Sequence, residues 1–182
     1  MAKYGQVTVF HQEGTCVYEI SGAAMTISDG ELDMGITTSE NKDCRLGILG
    51  PPSLAIESAS VSAADMSELT EEEINVAVGW DTEEEIKEDN IFRIYLAEHH
   101  ALDNNKVLIS RCGPEEITVS WRADATDFNY CDERAKRNAV EVQLTLRGET
   151  HCPSCDSLLA NPEAKYCPIC ERHWNDRNEE IN

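Results

Sequence analysis

The residues of this 182-residue chain whose types and spacing could do chemistry are its eight cysteines. Four of them form two Cys-Pro-x-Cys sequences, at residues 152–155 and 167–170, with eleven residues between them. Two cysteines three positions apart in a tight turn can place both sulfurs about 2.3 Å from one ion, and a second such turn completes a tetrahedron. Four thiolates leave no position for water. The spacing therefore predicts one structural Zn²⁺ site on Cys152, Cys155, Cys167 and Cys170.

Residues 151–170, HCPSCDSLLANPEAKYCPIC, resemble the small zinc-ribbon domain common at the ends of bacterial and archaeal proteins, and the resemblance extends over about residues 150–174. We call each Cys-Pro-x-Cys sequence a knuckle. Leu158 follows the first knuckle, and Ala164 and Tyr166 precede the second, as in that family. The resemblance implies that the four cysteines are the metal ligands. The family usually has Gly directly after each knuckle, where this chain has Asp156 and Glu171. Asp tolerates the left-handed conformation better than Glu does.

Other readings of the paired knuckles are open. Iron in a rubredoxin-like site also uses four thiolates, and a Cys-x-x-Cys can be a redox dithiol. His151 and His173 flank the knuckles and could replace a thiolate. We favour zinc on four cysteines, because rubredoxin-like sites separate their knuckles by a longer segment and a thioredoxin-type motif stands alone.

The remaining cysteines, Cys16, Cys44, Cys112 and Cys131, have no ligand spacing. Because free cysteine is among the most buried residue types, we expect thiols buried in strands. A second site formed by their convergence in the fold remains open at this level.

The net charge of the chain disfavours some classes of binding partner. The chain has 35 acidic and 15 Lys and Arg residues, for a formal net charge of −20. Binding to nucleic acid or to anionic membranes is disfavoured, because both depend on basic side chains. Residues 65–89 hold eleven acidic residues and one lysine, which is half of the net charge. We expect solvated loops or first helix turns there, with an acidic patch that binds a partner as the alternative.

Residues 1–148 carry no resemblance to a family that we can name, and their pattern is strand after strand. Alternation at 117–121 and 140–146 has the period of a half-buried strand. Further strands are predicted at 6–11, 16–20, 24–28, 31–37, 45–49, 54–61, 74–80, 91–98 and 106–111. Turns are predicted at 28–31, 103–105, 112–114 and 132–137, and short helices at 67–73 or 82–87. The expected fold is mainly β, an antiparallel sandwich or barrel over residues 1–148, followed by the zinc ribbon and a polar tail over 149–182.

Catalytic motifs are absent from the sequence, with no Gly-x-Ser-x-Gly, no phosphate-binding Gly-rich loop and no His-Glu-x-x-His. His99, His100 and Asp103 are close in sequence, but adjacent residues of a strand point to opposite faces, so an exposed strand end is the expectation. No apolar run approaches the length of a membrane helix, and the first residues lack a signal-peptide pattern, so a cytoplasmic location is expected.

These observations favour a non-catalytic protein-interaction or assembly component with a structural zinc site and a protein partner, which could be basic. A second hypothesis is an acidic inhibitor that mimics nucleic acid and binds a basic nuclease or DNA-binding protein in defence or counter-defence. A third is an enzyme with a site dispersed over the β domain, which could include His11, His99 or His100.

Overall fold

The computed structural model describes residues 4–11, 14–41, 44, 51–77, 91–96, 98–114, 116–125, 138–147, 150–161 and 163–171. Within these ranges the chain forms β-strands and no helix. The strands are β1 (Gly5–His11), β2 (Gly14–Ser28), β3 (Glu31–Thr38), β4 (Ser53–Ser60), β5 (Glu71–Val76), β6 (Ile91–Leu96), β7 (Glu98–Arg111), β8 (Glu116–Ala125), β9 (Asn138–Arg147) and β10 (Leu158–Leu159). The prediction of a mainly β, antiparallel fold is confirmed.

The strands close into a ring. Their order is β1-β9-β8-β7-β6-β4-β3-β2, and β2 pairs again with β1. The two longest strands make this closure because each serves different neighbours along its length. In β2, residues 14–19 pair with β1 and residues 20–28 pair with β3. In β7, residues 98–101 pair with β6 and residues 102–111 pair with β8.

Alternating side chains fill the interior of the ring. In β8 the buried positions are Ile117, Val119, Trp121, Ala123 and Ala125, and the register places them opposite buried positions of β9. The Trp121 ring meets the Phe92 ring edge to face at 5.9 Å between centroids. Its indole Nε1 donates a 3.0 Å hydrogen bond to Oδ1 of Asn105, which is itself buried. The buried indole N–H is thus satisfied within the core.

Several local predictions need correction. Residues 16–20 and 24–28 belong to one strand, because the chain continues through a register irregularity between Ile20 and Gly22. The predicted turn at 103–105 lies inside β7, where a bulge with positive φ at Asn104 takes up the polar residues. The helix predicted at 67–73 is wrong. Glu71 begins β5, and Ser67 and Glu68 lie in a turn that the Asp65 carboxylate holds.

Other predictions are confirmed or untested. The hairpin between β2 and β3 turns at Asp29 and Gly30, which both have positive φ. The strand predicted at 45–49, the helix predicted at 82–87 and the turn predicted at 132–137 lie outside the described residues. Among the residues that the structure describes, we find no helix of the length and apolarity needed to cross a membrane.

The cysteine-rich segment packs on the ring. Its short strand β10 pairs with Met25 and Ala24 of β2. Leu158 and Ala160 are buried in the main core, and Leu159 lies with the cysteines in a smaller cluster. The segment therefore shares apolar surface with the β-ring.

Candidate metal centre and the cleft beside it

The four predicted ligands converge. The Sγ atoms of Cys152, Cys155, Cys167 and Cys170 all lie within 4.8 Å of one another. One cysteine of each knuckle faces one of the other: Cys152 Sγ lies 3.7 Å from Cys170 Sγ, and Cys155 Sγ lies 3.7 Å from Cys167 Sγ. Sulfurs bound at about 2.3 Å to a tetrahedral ion are about 3.8 Å apart. A disulfide would need about 2.05 Å. The donor set and its spacing fit a metal ion.

The backbone of each knuckle is wound to present its sulfurs. Asp156 N donates to Cys152 O at 2.9 Å, and Ser154 N donates to Cys152 Sγ at 3.4 Å. Asp156 and Glu171, which stand where the family usually has Gly, have φ of 61° and 54°. Both knuckles therefore make the left-handed turn without glycine, Glu171 at a conformation that bulky side chains rarely adopt.

Burial and hydrogen bonds give the thiols of the cluster different pKa values. Burial opposes ionisation of Cys155, but the Ser157 hydroxyl and N–H, followed by Cys152 and Cys170, outweigh burial and lower the Cys155 pKa to about 7. The Ser157 Oγ lies 3.1 Å from Cys155 Sγ. Burial raises the pKa of Cys167 to about 12. The backbone N–H groups of Cys170 and Ile169 oppose this rise, and the neighbouring Cys155 adds to it. A divalent cation would compensate the charge that these packed sulfurs accumulate.

His151 lies beside the cluster and is not part of it. Its Nδ1 is 2.8 Å from the Asp156 carbonyl oxygen and 3.5 Å from an Asp156 carboxylate oxygen. The imidazole is exposed and braces the turn after the first knuckle. His173, the other flanking histidine, lies outside the described residues.

The cluster rests on two small residues of the sheet. Ala24 of β2 and Gly35 of β3 are directly paired, and both are buried although their positions alternate with core-facing neighbours. Ala24 packs with Cys152, Cys167 and Leu159. A β-carbon at Gly35 would lie 2.9 Å from Pro168 of the second knuckle. The knuckles thus cover the outer face of the sheet where its side chains are smallest.

A cleft opens beside the second knuckle. We call it the knuckle cleft. Its volume is about 740 Å³. Ala55 continues the Gly35 row across β4, and Arg93 continues it across β6. The lining includes Asp33, Ser53, Ala55, Glu57, Arg93 and Tyr95 from the sheet and Tyr166, Pro168, Ile169 and Glu171 from the knuckle.

Charges in the knuckle cleft are arranged around one ion pair. Arg93 Nη2 contacts Glu57 Oε1. Asp33 accepts a 2.9 Å hydrogen bond from Ser58 N, at a bulge where Ser58 has positive φ. Burial, and then the negative charge of Glu171, raises the pKa of Tyr166.

Cys16 and Cys44 form a disulfide, so the prediction of buried thiols is wrong for this pair. Cys16 points inward from β2, and the chain after β3 returns Cys44 to it, with Cα atoms 5.5 Å apart. No spacing rule could have found a pair 28 residues apart. Cys112 is a free, exposed thiol near Thr118, and Cys131 lies outside the described residues. Within the described ranges, the knuckle cysteines form the sole group of three or more metal-ligating residues.

The histidines proposed for a dispersed site lie on two strands, β1 and β7, that do not pair with each other. His11 ends β1 and is largely buried. His99 and His100 belong to β7, where they pair with Tyr95 and Ile94. β7 begins at Glu98, so His99 and His100 lie at a strand end, as expected, with His100 partly buried; Asp103 lies further along the same strand, which continues to Arg111.

Several described acidic residues of the segment 65–77 make local hydrogen bonds. Glu72 accepts from Ser62 N, Ser62 Oγ and Ala63 N. Glu68 accepts from Ala64 N at 3.1 Å. The hydroxyl and N–H of Ser67 lower the Asp65 pKa. Residues 78–90, with the second acidic run, lie outside the described residues.

Comparison with known proteins found no family model, no curated protein and no solved structure that matches this chain. The resemblance to zinc ribbons therefore rests on the knuckle residues and on the cluster that they form.

Proposed function

We propose that this protein is a non-catalytic protein-interaction component whose C-terminal segment is held by one structural zinc ion. The observation that carries the proposal is the four-sulfur cluster packed on Ala24 and Gly35. Four thiolates saturate a tetrahedral ion, so such a site holds structure and has no position for substrate.

The surroundings of the cluster support a structural role. The segment from residue 150 onward has few apolar residues of its own, and it places Leu158 and Ala160 in the core of the ring. A metal ion would fix the two knuckles relative to each other and thereby hold the wall of the knuckle cleft. In this proposal the domain limits are residues 1–148 for the β domain and 149–182 for the ribbon and tail.

The described acidic residues give nucleic-acid mimicry partial support. Mimicry needs a continuous exposed acidic face, and Asp65, Glu68, Glu71 and Glu73 are exposed. However, Asp65, Glu68 and Glu72 direct carboxylate oxygens at nearby backbone N–H groups, which occupies part of their hydrogen-bonding capacity. The protein-interaction proposal therefore stands ahead of it.

A cytoplasmic location remains part of the proposal, and the Cys16–Cys44 disulfide is the observation against it. Disulfides are rare in reducing compartments, whereas cysteines that bind a metal are typical of them, so the two cysteine sites point to different environments. The redox state of Cys16 and Cys44, determined in protein taken directly from the source cell, distinguishes a reducing from an oxidising location.

The first test measures metal and partner on one sample. Elemental analysis of the purified protein should give one equivalent of zinc, and cobalt substitution should give the visible spectrum of a tetrahedral thiolate site. Cys152→Ser should lose the metal, and the matched control Cys112→Ser should retain it. Iron in place of zinc, or full metal content in Cys152→Ser, would contradict the proposed site.

The second test is a pull-down from the source cell, washed with increasing salt. The proposal expects a protein partner that the metal-loaded chain captures and the Cys152→Ser variant captures poorly. A nucleic-acid-binding partner that elutes at modest salt, and that charge reversal at 71–73 abolishes, would favour the acidic inhibitor instead. Failure to capture any partner at native expression would contradict the proposed protein-interaction role.

A further inference from the structure

The knuckle cleft is a built concavity of a size that suits a ligand. Its volume of about 740 Å³ is within the range of roughly 300–1,000 Å³ typical of ligand sites. Its floor is made of small side chains, including Ser53 and Ala55, and its walls come from two different parts of the chain, the sheet and the second knuckle.

The charge of the lining selects the kind of occupant. Three carboxylates, of Asp33, Glu57 and Glu171, face one guanidinium, that of Arg93. Since Arg93 and Glu57 pair with each other, Asp33 and Glu171 set the net sign of the cleft, which is negative. An anionic ligand would meet a guanidinium that Glu57 already neutralises. A cationic group is therefore the complementary occupant.

Two tyrosines add a second, independent preference. Tyr95 is 45% exposed and Tyr166 is partly exposed, and both line the cleft. The face of a tyrosine ring attracts ammonium and guanidinium groups. Aromatic rings beside carboxylates suit a side chain with an apolar stem and a cationic end, which describes lysine and arginine.

We propose that the knuckle cleft binds a basic segment of a protein partner, inserting a Lys or Arg side chain against Tyr95 and Tyr166 with its charge directed to Asp33 and Glu171. This inference rests on the proposed function and adds the place and the chemistry of the contact. Because the second knuckle supplies Tyr166, Pro168 and Glu171, binding also depends on the four-cysteine cluster.

The probe is a fluorescein-labelled peptide of alternating lysine and glycine, titrated with the metal-loaded full chain and followed by fluorescence anisotropy. The double variant Asp33→Asn/Glu171→Gln should weaken binding about tenfold or more, since it removes the two cleft carboxylates other than Glu57, which pairs with Arg93. Ala55→Leu, which fills the floor without changing charge, should weaken it comparably. Tyr95→Ala is the alternative if Ala55→Leu fails to fold.

The matched control is Glu71→Gln/Glu73→Gln, which removes the same charge from β5, outside the cleft. It should change affinity less than about twofold at physiological salt, where distant charges are screened. Equal weakening in the control and in the cleft variant would show diffuse attraction to an acidic surface and would overturn the proposal. Free lysine amide binding as tightly as the peptide would overturn a protein segment as the occupant.

Failure here is distinguishable from failure of the proposed function. If the protein holds one zinc and the cleft variants bind the peptide as the unaltered chain does, the cleft inference alone fails. If the metal-free protein keeps its fold and its peptide affinity, the structural role of the metal fails, and so does the dependence of binding on the cluster, while the contact in the cleft stands.

Discussion

Gly35 of β3 and Pro168 of the second knuckle are in backbone contact. A β-carbon at Gly35 would lie 2.9 Å from the carbonyl carbon, the carbonyl oxygen and the Cβ of Pro168. These atoms belong to a rigid proline in a turn between two ligands, so they have little freedom to move aside. The sheet and the metal centre therefore fit together only if position 35 has no side chain.

Gly35→Ala is expected to displace the second knuckle. We expect a loss of about 1–3 kcal/mol in the free energy of unfolding of the metal-loaded protein, the usual cost of overpacking, together with weaker metal binding. Gly113→Ala is the control, because a β-carbon there meets no atom within 4 Å. Chemical denaturation and competition with a chromogenic chelator measure both quantities. Unchanged metal affinity in Gly35→Ala would contradict the coupling.

Ser157→Ala tests the hydrogen bond to Cys155. The buried hydroxyl lies 3.1 Å from Cys155 Sγ and helps to lower the Cys155 pKa to about 7. Without it the thiolate is less stabilised by about 1 kcal/mol, so metal transfer to a chelator at neutral pH should be several times faster. Ser154→Ala is the control, since Ser154 is exposed and contacts the cluster through its backbone N–H. Equal rates in the two variants would contradict a role for the hydroxyl.

Cys16→Ser is expected to destabilise the ring. A disulfide closing a loop of this length contributes about 3.5 kcal/mol by restricting the unfolded chain. Unfolding in oxidising buffer should show that loss, and a reductant that does not bind metal should bring the unaltered protein to the level of the variant. Cys112→Ser, at a free exposed thiol, should match the unaltered protein in both buffers. A reductant that leaves the unaltered protein unaffected would argue against the disulfide.

Glu72→Gln tests the acidic turn through pH. Burial works against the Glu72 carboxylate, but bonds from Ser62 and Ala63 overcome it and lower the Glu72 pKa below the usual 4.5. A carboxylate with a lowered pKa in the folded state stabilises the protein above its unfolded pKa, and that contribution is lost as pH falls through the folded pKa.

The stability difference between the unaltered protein and Glu72→Gln should thus be full at neutral pH and should shrink below about pH 4.5. Glu71→Gln serves as the control because Glu71 is an exposed neighbour on the opposite face of β5. Denaturation midpoints at a series of pH values provide the measurement. A pH-independent difference would mean that Glu72 acts without its charge.

The sequence predicts the ligands and most strands because both signals are local. Two cysteines three apart and alternating residues such as Val140 and Val142 need no knowledge of the rest of the chain. The Cys16–Cys44 bond depends on where the chain returns after β3. The helix predicted at 67–73 failed because local capping residues also stabilise turns, and pairing with β7 decided that Glu71–Val76 is a strand.

The small residues beneath the cysteine cluster and the knuckle cleft could not be predicted from local patterns, for a related reason. Ala24, Gly35 and Ala55 form one row of small residues only once the register of β2, β3 and β4 is known. Small outward-facing residues at paired positions of successive strands indicate that another segment packs on the sheet there. That pattern can be recognised only once the pairing of the strands is known.

Closure of the ring also bears on how the protein avoids polymerising through its strands. Unpaired strand edges template association with other chains, and a ring removes them. Among the described strands, two edges are exceptions: β5 pairs with β7 alone, and the edge of β2 on the β1 side passes beyond residue 19 to β10 at Ala24 and Met25. The C-terminal segment thus covers this edge of β2. Releasing its metal would uncover a strand edge together with the apolar Ala24 and Leu159, a combination that promotes concentration-dependent aggregation.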